Sequence, residues 1–304
     1  MKGQNLQLSI CIASYGNDVT ALLDHLQNQC KGLPEAEIDI HISDQFPTAH
    51  TCATDWTRYP NTFYHHNQES TGRAANRNFL ARVARGTQLL FLDADSLPVE
   101  SDFLQRYLEV AEENLVVVGG TAYQRTTDQQ LLRYKVGVKK EEIPVAKRKA
   151  NPYGSFTAFN ALIPRAVFEK IPFDSSLVEY GHEDTLFGLE LRHHVIPVLH
   201  IDNPAYHLGL DDNTQFMIKT RQAVDSLASL ISKGKIDEEV RLFDAYMRWS
   251  KFGGHFVLRT LYDAVGEILF QRLSSGEGNV LLFDFYKLLR LCHQQPKVGK
   301  KCLK

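Results

Sequence analysis

The sequence predicts an α/β fold: a mostly parallel sheet flanked by helices, followed by a helical C-terminal extension. Three observations carry this. In the first hundred residues, short apolar runs alternate with segments whose apolar residues recur at helical spacing. Strands joined through helices pair in parallel, because each crossover returns the chain to the same end of the sheet. From about residue 211 only the helical period remains. With 304 residues, 43% of them hydrophobic, the chain can close such a core without disulfides or a structural metal.

Residues 6–13 (LQLSICIA) read as a buried strand that runs into a turn at Ser14, Tyr15, Gly16 and Asn17. Residues 18–29 set Val19, Leu22, Leu23 and Leu26 on one helical face. Residues 38–43 (IDIHIS) form a second strand and 62–65 a short third. Residues 71–85 are helical, with Gly86 as the C-cap. The wholly apolar strand 88–92 (QLLFL) ends directly on Asp93. Another strand, 114–123, carries a glycine pair, and 126–150 is a polar, basic, mobile surface excursion. A buried strand follows at 155–163, Pro164 opens a helix, and the last strand spans 195–201. Beyond it, helices are expected over 216–230, 240–249, 256–273 and 280–291, punctuated at Gly253-Gly254 and 274–278. Trp249 and the aromatics Phe252, Phe256, Phe270, Phe283 and Phe285 belong to their core. Residues 1–210 thus form one domain and 211–304 the extension.

Several classes of function drop out. Thirty-four basic against 36 acidic residues create no field for a nucleic-acid partner. Five cysteines without a CxxC pair fit neither a disulfide framework nor a zinc cluster, and point to a reducing compartment. The opening residues are too polar for a signal peptide, and no apolar run approaches a membrane span, so the expected location is cytoplasmic. Residues 286–304 hold Lys287, Arg290, Lys297, Lys300, Lys301 and Lys304 and no acid. Two readings stay open: a packed helical extension with a frayed basic end, or peripheral contact with anionic lipid at the inner face of a membrane.

Open α/β sheets bind ligands outside the carboxyl ends of their strands, which directs attention to the loops after Ala13, Ser43 and Leu92. Asp93 and Asp95, separated by one residue at the end of an apolar strand, suit Mg²⁺ or Mn²⁺, a hard cation held by a few carboxylates and by substrate phosphates. Such pairs also occur in solvated turns. Tyr180, Gly181, His182, Glu183 and Asp184 cluster before an apolar helix; a carboxylate there can cap the helix or act as a general base. His207 follows the last strand. Residues 70–78 (STGRAANRN) lead a glycine into an arginine-bearing helix, which suits phosphate contacts or a solvated face equally.

In this order and at these spacings, the residues of 6–210 resemble the family 2 glycosyltransferases with the GT-A fold, inverting enzymes of the bacterial polysaccharide-biosynthesis type. The resemblance implies a nucleotide-sugar donor, a UDP-sugar first of all, a divalent metal, and a glycan or lipid-linked acceptor. By the same resemblance Ala13 and Ser14 line the nucleoside pocket, and Asp44 bonds the uracil ring. Arg77 approaches the nucleotide, and Asn78 fixes the local turn. Asp93 contacts ribose or metal-bound water; Asp95 and His207, with Asp93 beside them, hold the metal. Asp184 is the base, with Glu183 orienting it or binding acceptor, and Tyr180 and His182 meet the acceptor. The chain departs from the family at Ser43-Asp44-Gln45-Phe46, where two consecutive acids are usual. A nucleotidyltransferase would carry a glycine-rich basic loop after the first strand, and this chain has Ser14-Tyr15-Gly16-Asn17 there instead. A silent sugar-nucleotide-binding module is the remaining alternative.

Overall fold

The computed structural model describes residues 7–47, 55–67, 69, 71–125, 127–177, 181–236, 240–251 and 253–295. They fall into two compact units. The first comprises Met1–Gln124, Glu141–Val178 and Glu183–Gly209; the second comprises Arg125–Lys140, Glu179–His182 and Leu210–Lys304. The second therefore takes in two segments that precede residue 210.

The first unit is an α/β layer structure. Its main sheet contains β1 (Gln7–Ser14), β2 (Glu37–Asp44), β3 (Thr62–His66), β4 (Gln88–Asp93), β6 (Val116–Val118), β8 (Asn160–Pro164) and β9 (Val198–His200). The order is β3-β2-β1-β4-β8-β6-β9. Strands β1 to β4 run parallel, β8 runs antiparallel to both neighbours, and β6 pairs in parallel with β9. Alternation along β1 shows why the sheet is sandwiched. Leu8, Ile10 and Ile12 pack on Leu22, Leu23 and Leu26 of α1 (Thr20–Cys30) and on Phe103 and Tyr107 of α3 (Phe103–Val110). Cys11, on the opposite face, joins Ala74, Leu80 and Ala81 of α2 (Arg73–Val83).

A second sheet sits beside the first, with order β5-β10-β7: β5 (Ser96–Pro98), β10 (Ala205–His207) and β7 (Thr121–Ala122). The expected strand 114–123 is in fact two strands, β6 in the main sheet and β7 in this one. The break is the glycine pair: a Cβ on Gly119 would overlap the Asn203 carbonyl oxygen, and Gly120 has φ 104°. The expected strand 155–163 shortens to β8, because residues 151–159 are turns and irregular backbone. Val195 takes φ 54°, so the last strand begins only at Val198. Helix α2 ends at Val83 with Ala84 as C-cap. Gly86 serves instead as a close-packing point, where a Cβ would meet the Ser9 backbone nitrogen.

The expected mobile excursion 126–150 is largely helical, with α4 (Leu132–Lys140) in the second unit and α5 (Val145–Ala150) in the first. Arg148 of α5 is buried and donates to the carbonyls of Val118, Gly119, Ile143 and Ile201. A short helix α6 (Arg165–Lys170) has Pro164 as its N-cap residue, and α7 (Glu183–His193) follows.

The second unit adds α8 (Asn213–Ser232), α9 (Arg241–Ser250), α10 (Gly254–Ser274) and α11 (Val280–Gln294). Leu258, Tyr262, Gly266, Phe270 and Leu273 form the buried stripe of α10. Arg290 of α11 clamps Asp225 of α8 through two bonds of 2.9 and 2.7 Å and donates to Tyr262 at 2.8 Å. The aromatics divide: Phe270 and Phe283 are core, whereas Trp249, Phe256 and Phe285 are exposed because they fall off the buried stripes; Phe252 lies outside the described residues. Among the described residues, no helix is long and apolar enough to cross a membrane.

Candidate active site

The parallel register brings the candidate residues to one edge of the sheet. Ala13 stands beside Asp93, and Ser14 beside Asp44, so β1, β2 and β4 end level. Asp44 is buried, and its Oδ1 accepts from the backbone N–H of Gly16 (2.8 Å) and Phe46 (3.1 Å). Oδ2 accepts from the Tyr64 hydroxyl at 3.1 Å. One carboxylate thus pins the loops after β1 and β2, and three donors on two oxygens leave an acceptor position on Oδ2. Tyr15, 55% exposed, meets the Phe46 ring edge-on at 5.2 Å above this point. Gln45, where a second acid is usual, forms a reciprocal clasp with Thr71: its amide donates to the threonine hydroxyl at 2.8 Å, and its carbonyl accepts from the Thr71 N–H at 3.2 Å.

The chemical centre is built around Arg77. Its side chain is only 2% exposed, deep in α2, with the guanidinium 5.4 Å above the Phe173 ring. One nitrogen donates to Asp93 Oδ1 at 2.8 Å, and the other to Asp184 Oδ1 at 3.2 Å. Glu183 Oε1 lies 3.7 Å from the second nitrogen. The expected nucleotide contact of Arg77 is not what this geometry supplies; the residue is a buried clamp for three carboxylates. Arg73, one helical turn earlier, is half exposed and 3.8 Å from Asp93 Oδ2. Asn78 also acts at longer range than a local turn. Its amide donates to the Phe173 carbonyl (2.8 Å), and its carbonyl accepts from the Phe173 N–H (3.1 Å), tying α2 to a segment 95 residues on.

Asp184 is held from its other side too. Oδ2 accepts from the Thr157 hydroxyl and from the Ala158 N–H, both at 3.0 Å. Desolvation raises the Asp184 carboxyl above the ordinary range; Arg77 opposes this, while the negative charges of Glu183 and Asp93 add to it. Arg77 shows the reverse balance: burial would lower it, but Asp93, Asp184 and Glu183 together raise it. With one guanidinium among three carboxylates, the cluster carries surplus negative charge, and Asp184 is the member it pushes towards protonation.

His207 and Asp95 form a second pair. Strand β10 sets His207 opposite Ser96, next to Asp95, and Nε2 lies 3.3 Å from Asp95 Oδ2. The Leu208 N–H donates to the Asp95 carbonyl at 2.8 Å. Burial would raise the Asp95 carboxyl, but hydrogen bonding and charge from His207, with Arg73 beyond, hold it below the usual range. Gly209 leaves open the space beside Oδ2 that a Cβ would fill. A carboxylate and an imidazole nitrogen beside a bare backbone suit a divalent cation that takes its remaining ligands from phosphates and water. The expected third ligand is not gathered in: Asp93 faces the two arginines, and among the described residues no three His, Cys, Asp or Glu side chains group to hold a metal.

His182 belongs to the second unit and adopts φ 71° directly before α7; Tyr180 lies outside the described residues. Sequence reasoning missed Arg73, Thr157 and Tyr15. Arg73 was legible as the residue four before Arg77, on the same helical face. Thr157 carried no signal, since it looked like one more residue of a strand.

The α/β unit thus presents carboxylates at its parallel-strand ends, a buried arginine clamp and an acid–histidine pair. Residues 9–172, more than half of the chain, match the model of glycosyl transferase family 2, and the chain belongs to that family. Among solved structures it is similar to the mannosyltransferase PcManGT from Pyrobaculum calidifontis in complex with GDP-Man and Mn²⁺. The TM-score is 0.54 at 15% identity, over 94% of this chain and 86% of that one. S. aureus TarS 1-349 in complex with UDP gives a TM-score of 0.50 at 14% identity, over 97% and 93% of the two chains. At these identities the likeness is one of fold. No curated protein matches the chain.

Proposed function

We propose that the chain is an inverting, metal-dependent glycosyltransferase. It would move a hexosyl or N-acetylhexosaminyl group from a nucleoside-diphosphate donor, a UDP-sugar first of all, to a hydroxyl of a glycan or lipid-linked acceptor. The observation that carries this is the position of Asp184: a carboxylate raised by desolvation, fixed by Arg77, Thr157 and Ala158 in the unit that also presents Asp95 and His207. Membership of the family supports the reaction class.

In the proposed reaction Asp184 accepts the proton of the acceptor hydroxyl as that oxygen attacks the anomeric carbon. Attack comes from the face opposite the diphosphate, so a single displacement inverts the anomeric centre. A divalent cation, Mn²⁺ or Mg²⁺, bound at Asp95 and His207 would supply neutralisation of charge on the leaving diphosphate. Arg77 holds the base in line and keeps its proton affinity in check. Glu183, buried against the same guanidinium, orients Asp184. On the donor side Ala13, Ser14 and Asp44 form the wall for the nucleoside, Tyr15 offers a stacking face, and Arg73 and Asp93 border the ribose and phosphates. Tyr180 and His182 are assigned to the acceptor.

The test is an Asp184→Asn variant. It should bind the donor as the parent does and transfer no sugar. Unchanged transfer would remove Asp184 from the role of base, and an unaltered, transfer-free parent across donors would favour a silent binding module.

A further inference from the structure

We infer that Tyr123 and Glu141 fix the orientation and tautomer of His207, and thereby how tightly the Asp95–His207 pair holds a divalent cation. This rests on the metal-dependent reading above. The small sheet creates the arrangement. Strand β10 lies between β5 and β7, with Tyr206 beside Ala122 and His207 opposite Ser96. His207 therefore has Asp95 on one side and Tyr123, the residue after β7, on the other.

Tyr123 is buried, and its hydroxyl donates to Glu141 Oε2 at 2.5 Å. A carboxylate oxygen only accepts, so the phenolic hydrogen is committed to Glu141 and the phenolic oxygen turns its lone pairs outward. His207 Nδ1 stands 3.4 Å from that oxygen. Both ring nitrogens face acceptors in the metal-free chain, Nδ1 the phenolic oxygen and Nε2 the Asp95 carboxylate at 3.3 Å; a cation held by Asp95 and His207 takes the place of the Nε2 hydrogen, while Nδ1 keeps its own against Tyr123. Ring contacts fix the plane: Tyr123 and Phe159 meet the imidazole edge-on, with centroids at 5.8 and 5.2 Å. A carboxylate–phenol–imidazole chain of this kind strengthens the ligand as well as aiming it. Tyr123 and Glu141 are positioning residues, since neither lies on the reacting atoms.

The experiment is calorimetric titration of Mn²⁺ into the full-length chain and into Tyr123→Phe, Glu141→Gln and His207→Ala. Tyr123→Phe should weaken Mn²⁺ binding by about 10–100-fold, while the metal-free Tm stays within a few degrees of the parent. Glu141→Gln should lose less, because its amide oxygen still accepts the phenolic hydrogen. His207→Ala should lose the cation. Parental Mn²⁺ affinity in Tyr123→Phe, with His207→Ala deficient, overturns the inference and leaves the proposed function standing. A fall in Tm with affinity intact does the same, since it marks a structural role alone. No Mn²⁺ uptake by the parent means the metal reading itself has failed, and the inference with it.

Discussion

One guanidinium answers three carboxylates at the centre of this site, and the consequences differ for each residue. Arg77 is almost wholly buried, so replacing it with Met leaves Asp93, Asp184 and Glu183 facing one another without a counter-charge. Breaking a buried ion pair in this way costs about 3–5 kcal/mol, which urea unfolding would read directly. Arg77→Lys should recover only part of it, because a point charge cannot bond Asp93 and Asp184 at once. A loss below about 1 kcal/mol, the range of exposed pairs, would show that the clamp is more hydrated than its geometry implies. The raised Asp184 carboxyl sets the sign of a pH effect. The base works ionised, so kcat should fall as pH drops through its raised value, with an acid limb above the ordinary aspartate range. An acid limb at or below that range would contradict the desolvated environment. At this scale the sequence pointed to candidate positions and not to what they touch. Asp93 and Asp95 stood out at the end of an apolar strand, whereas the roles expected of Asp184 and His207 came only from the resemblance to the family. The inward turn of Arg77 was not, because its partners lie up to 107 residues away and only the tertiary fold brings them near.

The elements were more legible where their pattern is strong and local. Helices α8 to α11 and strands β1, β2 and β4 follow from unbroken periodicity, which side-chain burial alone enforces. The errors cluster where an apolar run is interrupted. Between Val116 and Ala122 the glycine pair lets the chain leave the main sheet and found the small one that carries His207. The same reasoning explains 126–150: its charges suggested solvent, yet Arg148 turns inward to satisfy strand-end carbonyls. Arg148→Met should therefore destabilise the fold by about 2–4 kcal/mol through the carbonyls it strands, measurable by denaturant unfolding. A near-neutral result would mean that water reaches those carbonyls. Gly209→Ala probes the small sheet differently. The new Cβ would overlap Asp95, so Mn²⁺ affinity should fall about tenfold or more while global stability changes little. A large loss of stability with unchanged affinity would place the strain elsewhere than at Asp95.

At the scale of the whole molecule, the chain joins a family 2 glycosyltransferase unit to a helical unit that draws residues from three separate stretches of sequence. Composition anticipated a balanced net charge of −2 and no strong global field, but charge is unevenly placed: residues 286–304 hold six lysines and arginines and no acid. If the acceptor is lipid-linked, that end should bring the chain to anionic vesicles. Sedimentation with phosphatidylglycerol vesicles should be salt-sensitive and lost when Lys297, Lys300, Lys301 and Lys304 are changed to Gln. Equal sedimentation with neutral vesicles would refute the electrostatic attachment. The donor is the more central question, because every role assigned above presumes a nucleoside diphosphate at the carboxyl edge of the sheet. The most direct measurement is calorimetric titration of UDP-, GDP- and dTDP-sugars with and without Mn²⁺, on the parent and on Asp95→Ala. Binding of one nucleotide class that requires Mn²⁺ and disappears in Asp95→Ala is the expected result. Metal-independent binding, or binding unchanged in Asp95→Ala, would contradict the account.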